Sequence, residues 1–104
     1  MITLEWLRER IKKEDYQLSS HACEECDNED IVLEDIEKAI LGGEILESYH
    51  DRQDIRGESC LILGKGRGGR AIHIVAARSN KNELRIVTAY LPRPPKWASE
   101  RERE

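Results

Sequence analysis

The stretch "ESCLILGKGRGGRAIHIVAARSNKNELRIVTAYL" (residues 58–91) decides the fold class of this 104-residue chain. It divides into "ESCLILG" (58–64), "RAIHIVAAR" (70–78) and "ELRIVTAYL" (83–91), short runs rich in β-branched residues, as strands are. The separators "GKGRGG" and "SNKN" suit hairpin connections, because glycine and asparagine tolerate the positive φ that such turns need. Just upstream, "EILESYH" (44–50) has the same character and predicts a further strand. Alternation along "AIHIVAA" puts Ile72, Ile74 and Ala76 on one face and Ala71, His73, Val75 and Ala77 on the other. The same rule gives Ile86, Thr88 and Tyr90 a common face in the last strand.

Before residue 44 the apolar spacing becomes helical. In "TLEWLRERIKKED" (3–15), Leu4, Leu7 and Ile11 recur at intervals of three and four, with Thr3 as N-cap and Lys12 and Lys13 at the negative end of the dipole. "YQLS" (16–19) reads as a short extended piece, and Ser20 as the cap of a brief helix through "HACEEC". "VLEDIEKAILGG" (32–43) places Leu33, Ile36, Ala39 and Ile40 on one side, and Gly42 or Gly43 is expected to end it in a left-handed conformation. The order predicts an α+β layer fold of two or three N-terminal helices packed on a 3–4 stranded antiparallel sheet. One domain is expected, with a helical part over about 1–43, a sheet over about 44–91 and a C-terminal tail over 92–104. "PRPPKW" leaves the sheet, since proline cannot donate to a ladder, and Trp97 is expected to fold back over one end of it. The tail "ASERERE" reads as frayed or helical.

Composition narrows the setting. Hydrophobic residues are 38% and phenylalanine is absent, so aliphatic side chains must supply the core. Charged residues reach 37%, well above the usual quarter or so. No apolar run approaches the ~20 residues of a membrane span, and no export signal is visible. A cytoplasmic protein with three reduced cysteines is the expectation, with no membrane association. The net charge of −4 hides an asymmetry: residues 1–52 hold 6 basic and 15 acidic side chains, whereas residues 55–97 hold 9 basic and 2 acidic. Such a basic region points to an anionic partner or to self-complementary association.

Three constellations carry chemistry. His21, Cys23 and Cys26 in "SSHACEECDNED" (19–30) have ligand-like spacing, but a structural zinc needs four ligands, and only His50, Cys60 or His73 is left to supply a distant fourth. The acids around them raise a thiol pKa, which opposes a reactive thiolate. Buried or half-buried cysteines on a short helix are the simpler reading, and no metal or other cofactor is assigned. "GKGRGGR" (64–70) lacks the Walker pattern, yet Lys65, Arg67 and Arg70 around mobile glycines suit a phosphate backbone, and a solvated hairpin tip is the plain alternative. His73 on a sheet face with Tyr90 nearby is either a hydrogen-bonded core histidine or a proton carrier. Beside arginine it would suit RNA cleavage, where the 2′-hydroxyl is deprotonated and the phosphorane's charge is stabilised.

The order of landmarks resembles a family of small prokaryotic domains, domain-of-unknown-function family 4258. The matching residues are Tyr16, Leu18, Ser19, His21 and Ala22, then Ile31, Asp35, Ile36, Ala39, Ile40 and Gly43 to Glu47 with Tyr49. They continue with Ser59 to Gly64, Arg70, Ile72 to Val75, Val87 to Tyr90, Pro92 and Trp97. The resemblance implies a RelE-like fold of the RelE/ParE-like plasmid-toxin superfamily, and the toxin component of a type II toxin–antitoxin pair whose cognate antitoxin carries a zinc-binding motif. Established toxins of that superfamily cleave mRNA, commonly on the ribosome, with basic and aromatic side chains on the sheet. Relatives commonly have arginines at about the positions of Glu25 and Cys26, so an acid and a cysteine, with further acids beside them, stand here where relatives are basic. Val32 replaces a capping Ser or Thr, leaving that cap to Asp30 or water.

The resemblance transfers no catalytic residues, so the site assignments rest on chemistry alone. The leading expectation is a metal-independent endoribonuclease with His21 and His73 as acid and base, Tyr90 orienting or stacking on a base, and Lys65, Arg67, Arg70, Arg78 and Arg85 binding RNA. The rivals are a non-catalytic module that binds an acidic partner through its basic sheet, and a metal-binding module using His21, Cys23 and Cys26. RNA specificity, ribosome dependence and oligomeric state stay open at this level.

Overall fold

A computed structural model describes residues 1–50, 57–94, 97 and 99–102. The elements in chain order are α1 (Leu4–Lys12), β1 (Tyr16–Leu18), α2 (Ser20–Glu29), α3 (Leu33–Gly42), β2 (Glu44–His50), β3 (Glu58–Lys65), β4 (Ala71–Arg78) and β5 (Leu84–Tyr90), with a 3₁₀ turn at Arg67–Gly69. The α+β class holds, but among the described residues the sheet has five strands in the order β1-β5-β4-β3-β2. The extra strand is "YQL", which lies parallel to β5 while the other neighbours are antiparallel. The expected all-antiparallel sheet of three or four strands is therefore corrected to a mixed one. Three residues are too few for a periodic signal, and only the neighbouring β5 makes them a strand.

The caps explain where the helices begin. The Thr3 hydroxyl accepts from Trp6 N–H at 3.1 Å. For α2 the cap is Ser19, one residue earlier than expected, because its Oγ accepts from Ala22 N–H at 3.0 Å while donating to the Val87 carbonyl of β5 at 2.7 Å. Asp30 does not cap α3. It closes α2 instead, in the left-handed region at φ 54°, ψ 48°. The start of α3 is satisfied by Asp35, whose carboxylate accepts from Val32 N–H at 2.9 Å.

Gly43 also differs from expectation, since it follows α3 in an extended conformation with φ −94°. Its need for glycine is steric: a Cβ there would lie 2.6 Å from the Leu63 carbonyl oxygen. A Cβ on Gly64 would lie 2.5 Å from the Ala39 carbonyl carbon and 2.6 Å from its Cα. Thus α3 presses its backbone directly onto β3, at a distance that admits no side chain. Around this contact Leu7, Ile11, Ala22, Ile36, Ile40, Ile62, Ile72, Ile74 and Ile86 form one buried aliphatic core between helices and sheet.

The opposite sheet face is not bare. Leu61, Leu63, His73 and Ala77 alternate with the core residues and are buried too, and Trp97 is 1% exposed. In β5 the sequence alternation fails. Ile86 pairs with Ala76 but Thr88 pairs with Val75, so Val87 is an extra residue at a β-bulge. Ile86 and Ala89 consequently face the helices, whereas Thr88 and Tyr90 sit opposite Val75 and His73, residues of the other face of β4. Ile86 and Tyr90 do not share the face expected for them. The tail residues 99–102 are not helical, and 98, 103 and 104 lie outside the described residues.

The Ala39 contact is tested by urea unfolding. Gly64→Ala should destabilise by about 3 kcal/mol or more, since a backbone clash cannot be relieved by rotamer changes. Gly68→Ala, at φ 70° with nothing within 4 Å of the added Cβ, should cost only about 1 kcal/mol of backbone strain.

Candidate functional site

Register brings His73 and Tyr90 together. They are direct cross-strand partners, and His73 Nδ1 lies 3.3 Å from the Tyr90 hydroxyl. The other ring nitrogen, Nε2, is 2.6 Å from the Glu100 backbone carbonyl. A carbonyl only accepts, so Nε2 carries the hydrogen, and in the neutral ring Nδ1 accepts from Tyr90. Trp97 completes the cluster, its indole N–H donating to the Tyr90 oxygen at 3.2 Å and its ring standing edge-on to the imidazole at 4.3 Å. His73 is 0% exposed, held between the sheet and the C-terminal segment.

Strand alternation sets further residues on this face. Lys65 is opposite Ala71, two residues before His73 along β4, and Arg85 is opposite Ala77, four residues after it. Both are exposed. Beside Lys65 lies a cleft of about 460 Å³ lined by Lys38, Gly43, Glu44, Leu63, Glu100 and Arg101, with Arg101 bonded to Glu44.

The remaining basic candidates are engaged inside the protein. Asp35, a completely buried carboxylate in the first turn of α3, accepts from Arg67 N–H at 2.7 Å and from Arg67 Nε at 3.0 Å. Arg70 Nη2 lies 3.6 Å from the same carboxylate. The Arg70 guanidinium also donates to the Glu29 and Asp30 carbonyls at 3.2 and 2.7 Å, satisfying the C-terminal end of α2. Burial alone would raise the Asp35 pKa, but hydrogen bonds from the Arg67 side chain, Val32 N–H and Arg67 N–H outweigh it and hold the carboxyl well below the usual carboxylate range. Arg78 lies on the helix side, paired with Glu58 and placed over the Trp6 ring at 5.3 Å. The sequence reading missed Asp35 as an anchor. Its signal was a carboxylate three residues into a helix, beside the apolar stripe.

His21 stands apart from His73. Its side chain is 63% exposed, with Glu25 Oε1 at 3.9 Å. The cysteine spacing loses its ligand-like character once the segment is helical. Residues two apart point about 200° apart around a helix, so His21 and Cys23 diverge, while Cys26 turns into the core. Among the described residues no group of three or more His, Cys, Asp or Glu side chains could hold a metal ion. The side chain of His50, named above as a distant ligand, lies outside the described residues. Burial, then the neighbouring Cys23 and acids, push the Cys26 thiol up, and burial pushes Cys60 up to about 12.

These features define a small α+β domain with helices on one face of a mixed sheet and a histidine–tyrosine pair under a C-terminal strap on the other. The chain belongs to the domain-of-unknown-function family DUF4258, whose model matches residues 18–91, from the end of β1 through β5. No curated protein and no solved structure matches the chain. No helix among the described residues is long and apolar enough to cross a membrane.

Two measurements check this geometry. Asp35→Asn should cost about 2 kcal/mol in urea unfolding at pH 7, because charge-assisted hydrogen bonds are lost from a pair shielded only on its carboxylate side. The folded pKa is depressed, so the contribution is complete above the unfolded value of about 4 and fades as pH falls through the folded one. Wild type should therefore lose stability in acid more steeply than the variant. Thiol labelling of native protein should modify Cys23 at once, and Cys26 and Cys60 only on unfolding.

Proposed function

We propose that this chain is the toxin component of a two-protein toxin–antitoxin system and acts as a metal-independent endoribonuclease. What supports the reading is the shared sheet face, on which Lys65, the His73–Tyr90 pair and Arg85 occupy one side of three neighbouring strands. An imidazole can take the 2′-hydroxyl proton, tyrosine can orient or stack on a base, and the flanking cations can hold phosphates. In the described state the Glu100 carbonyl and Trp97 occupy the imidazole. Catalysis in this reading therefore requires the C-terminal segment to leave the face. His21 takes no part in that pair and would serve only as a separate contact. The partner is an antitoxin protein whose binding silences the activity.

A second reading, a non-catalytic interaction module, draws on a different observation. Arg67, Arg70 and Arg78 hold the fold together, which leaves Lys65 and Arg85 exposed on this face among the described residues.

Induced expression, with growth and total mRNA integrity followed with and without the neighbouring gene product, separates the two. Ribonuclease action predicts mRNA loss and growth arrest, relieved by the partner. It also predicts at least about a tenfold fall in cleavage rate for the exposed double variant Lys65→Ala, Arg85→Ala and for His73→Gln. Arrest with intact mRNA, insensitive to His73→Gln, would establish the interaction module instead. Normal growth with intact mRNA would end the toxin reading.

A further inference from the structure

A surface that the sheet-face chemistry does not use lies at the opposite edge of the molecule. β1 is an edge strand, so one line of its backbone donors and acceptors points away from β5. Along it runs a groove of about 670 Å³ between α2 and α3, with Leu18, Cys26, Ile31, Leu33 and Ile36 in its wall and Asp27 at its rim. A second hollow, lined by Glu14, Tyr16, Leu18, Leu33 and Glu37, shares Leu18 and Leu33 with the first, so the two form one trough. Val32 and Leu33 are 42% and 53% exposed, an unusual placement for adjacent aliphatic residues beside an apolar hollow.

The charged side chains that line the trough have one sign. Residues 14–37 contain ten carboxylates and neither lysine nor arginine. The trough's own charged lining residues are Asp27 at one end and Glu14 and Glu37 at the other. We propose that this trough docks an apolar segment flanked by lysine or arginine, supplied by a partner protein. Apolar side chains would fill the Leu18–Leu33 floor, and the flanking cations would meet the carboxylates at each end. A second copy of this chain fits less well. Its Arg67, Arg70, Arg78 and Arg93 are already bonded to Asp35, the α2 carbonyls, Glu58 and Glu29. The proposal does not rest on ribonuclease activity, and the two are read in separate assays.

The probe is a labelled synthetic peptide of about ten residues with a leucine–valine centre and two lysines at each end, compared with the same centre flanked by glutamates. By fluorescence anisotropy the lysine peptide should bind the full chain at least about tenfold tighter than the glutamate peptide, and more weakly as salt rises. Leu33→Asp, at an exposed position, should reduce binding at least about fivefold while leaving the unfolding midpoint in place. Asp27→Lys should act in the same direction. Equal affinity for the two peptides, absence of binding, or binding indifferent to Leu33→Asp would overturn the proposal. So would a sedimentation dimer that Leu33→Asp dissociates, because the occupant would then be a second copy.

Discussion

One buried carboxylate ties the start of α3 to the β3–β4 turn and, through Arg70, to the end of α2. Asp35 bonds the start of its own helix through Val32 N–H and the β3–β4 turn through Arg67, with Arg70 close by. Arg70 in turn closes α2 through the Glu29 and Asp30 carbonyls. A carboxylate removed from water demands such partners, and here they come from the start of α3 and from the β3–β4 turn. Even the turn backbone is shaped to admit it, since a Cβ on Gly66 would lie 2.8 Å from Asp35 Oδ1. The basic loop thus derives its conformation from an acid 32 residues away in sequence.

The same constraint changes what the positive charge of the C-terminal half means. Counted along the chain, residues 55–97 look like a polyanion-binding surface. In three dimensions Arg67, Arg70 and Arg93 meet carboxylates or carbonyls of the acidic half, while Arg78 pairs with Glu58 of its own half. Part of the asymmetry is therefore an internal complementarity between the two halves. Among the described residues, exposed cations remain on the strap-covered face of the sheet and exposed carboxylates along the β1 edge. The functional reading and the docking proposal draw on these two remainders.

His73 shows how burial decides between roles that a sequence leaves equal. An imidazole in an apolar strand is either a satisfied core group or a proton carrier. Here both ring nitrogens have partners, one of them a carbonyl from residue 100, and Trp97 excludes solvent from the ring. In this state the histidine fastens the C-terminal segment to the sheet. Chemistry at the same ring needs that segment displaced, which couples any activity to the position of the tail.

Sequence alone determined the elements whose signals are local. β-branched runs and glycine turns marked β2 to β5, and apolar periodicity with the Thr3 cap marked α1 and α3, because these patterns depend only on neighbours along the chain. It also placed Ile72 and Ile74 opposite His73, since β4 keeps an unbroken alternation. Tertiary structure decided the rest. β1 is a strand only because β5 lies beside it, and Tyr90 reaches His73 only because a bulge at Val87 shifts the pleat by one residue. Gly43 and Gly64 are required by a helix backbone lying on a strand, not by a turn. Whether a charge is a ligand site or a structural bond depends on which opposite charge the fold brings near it. Such pairings span tens of residues, and no local pattern encodes them.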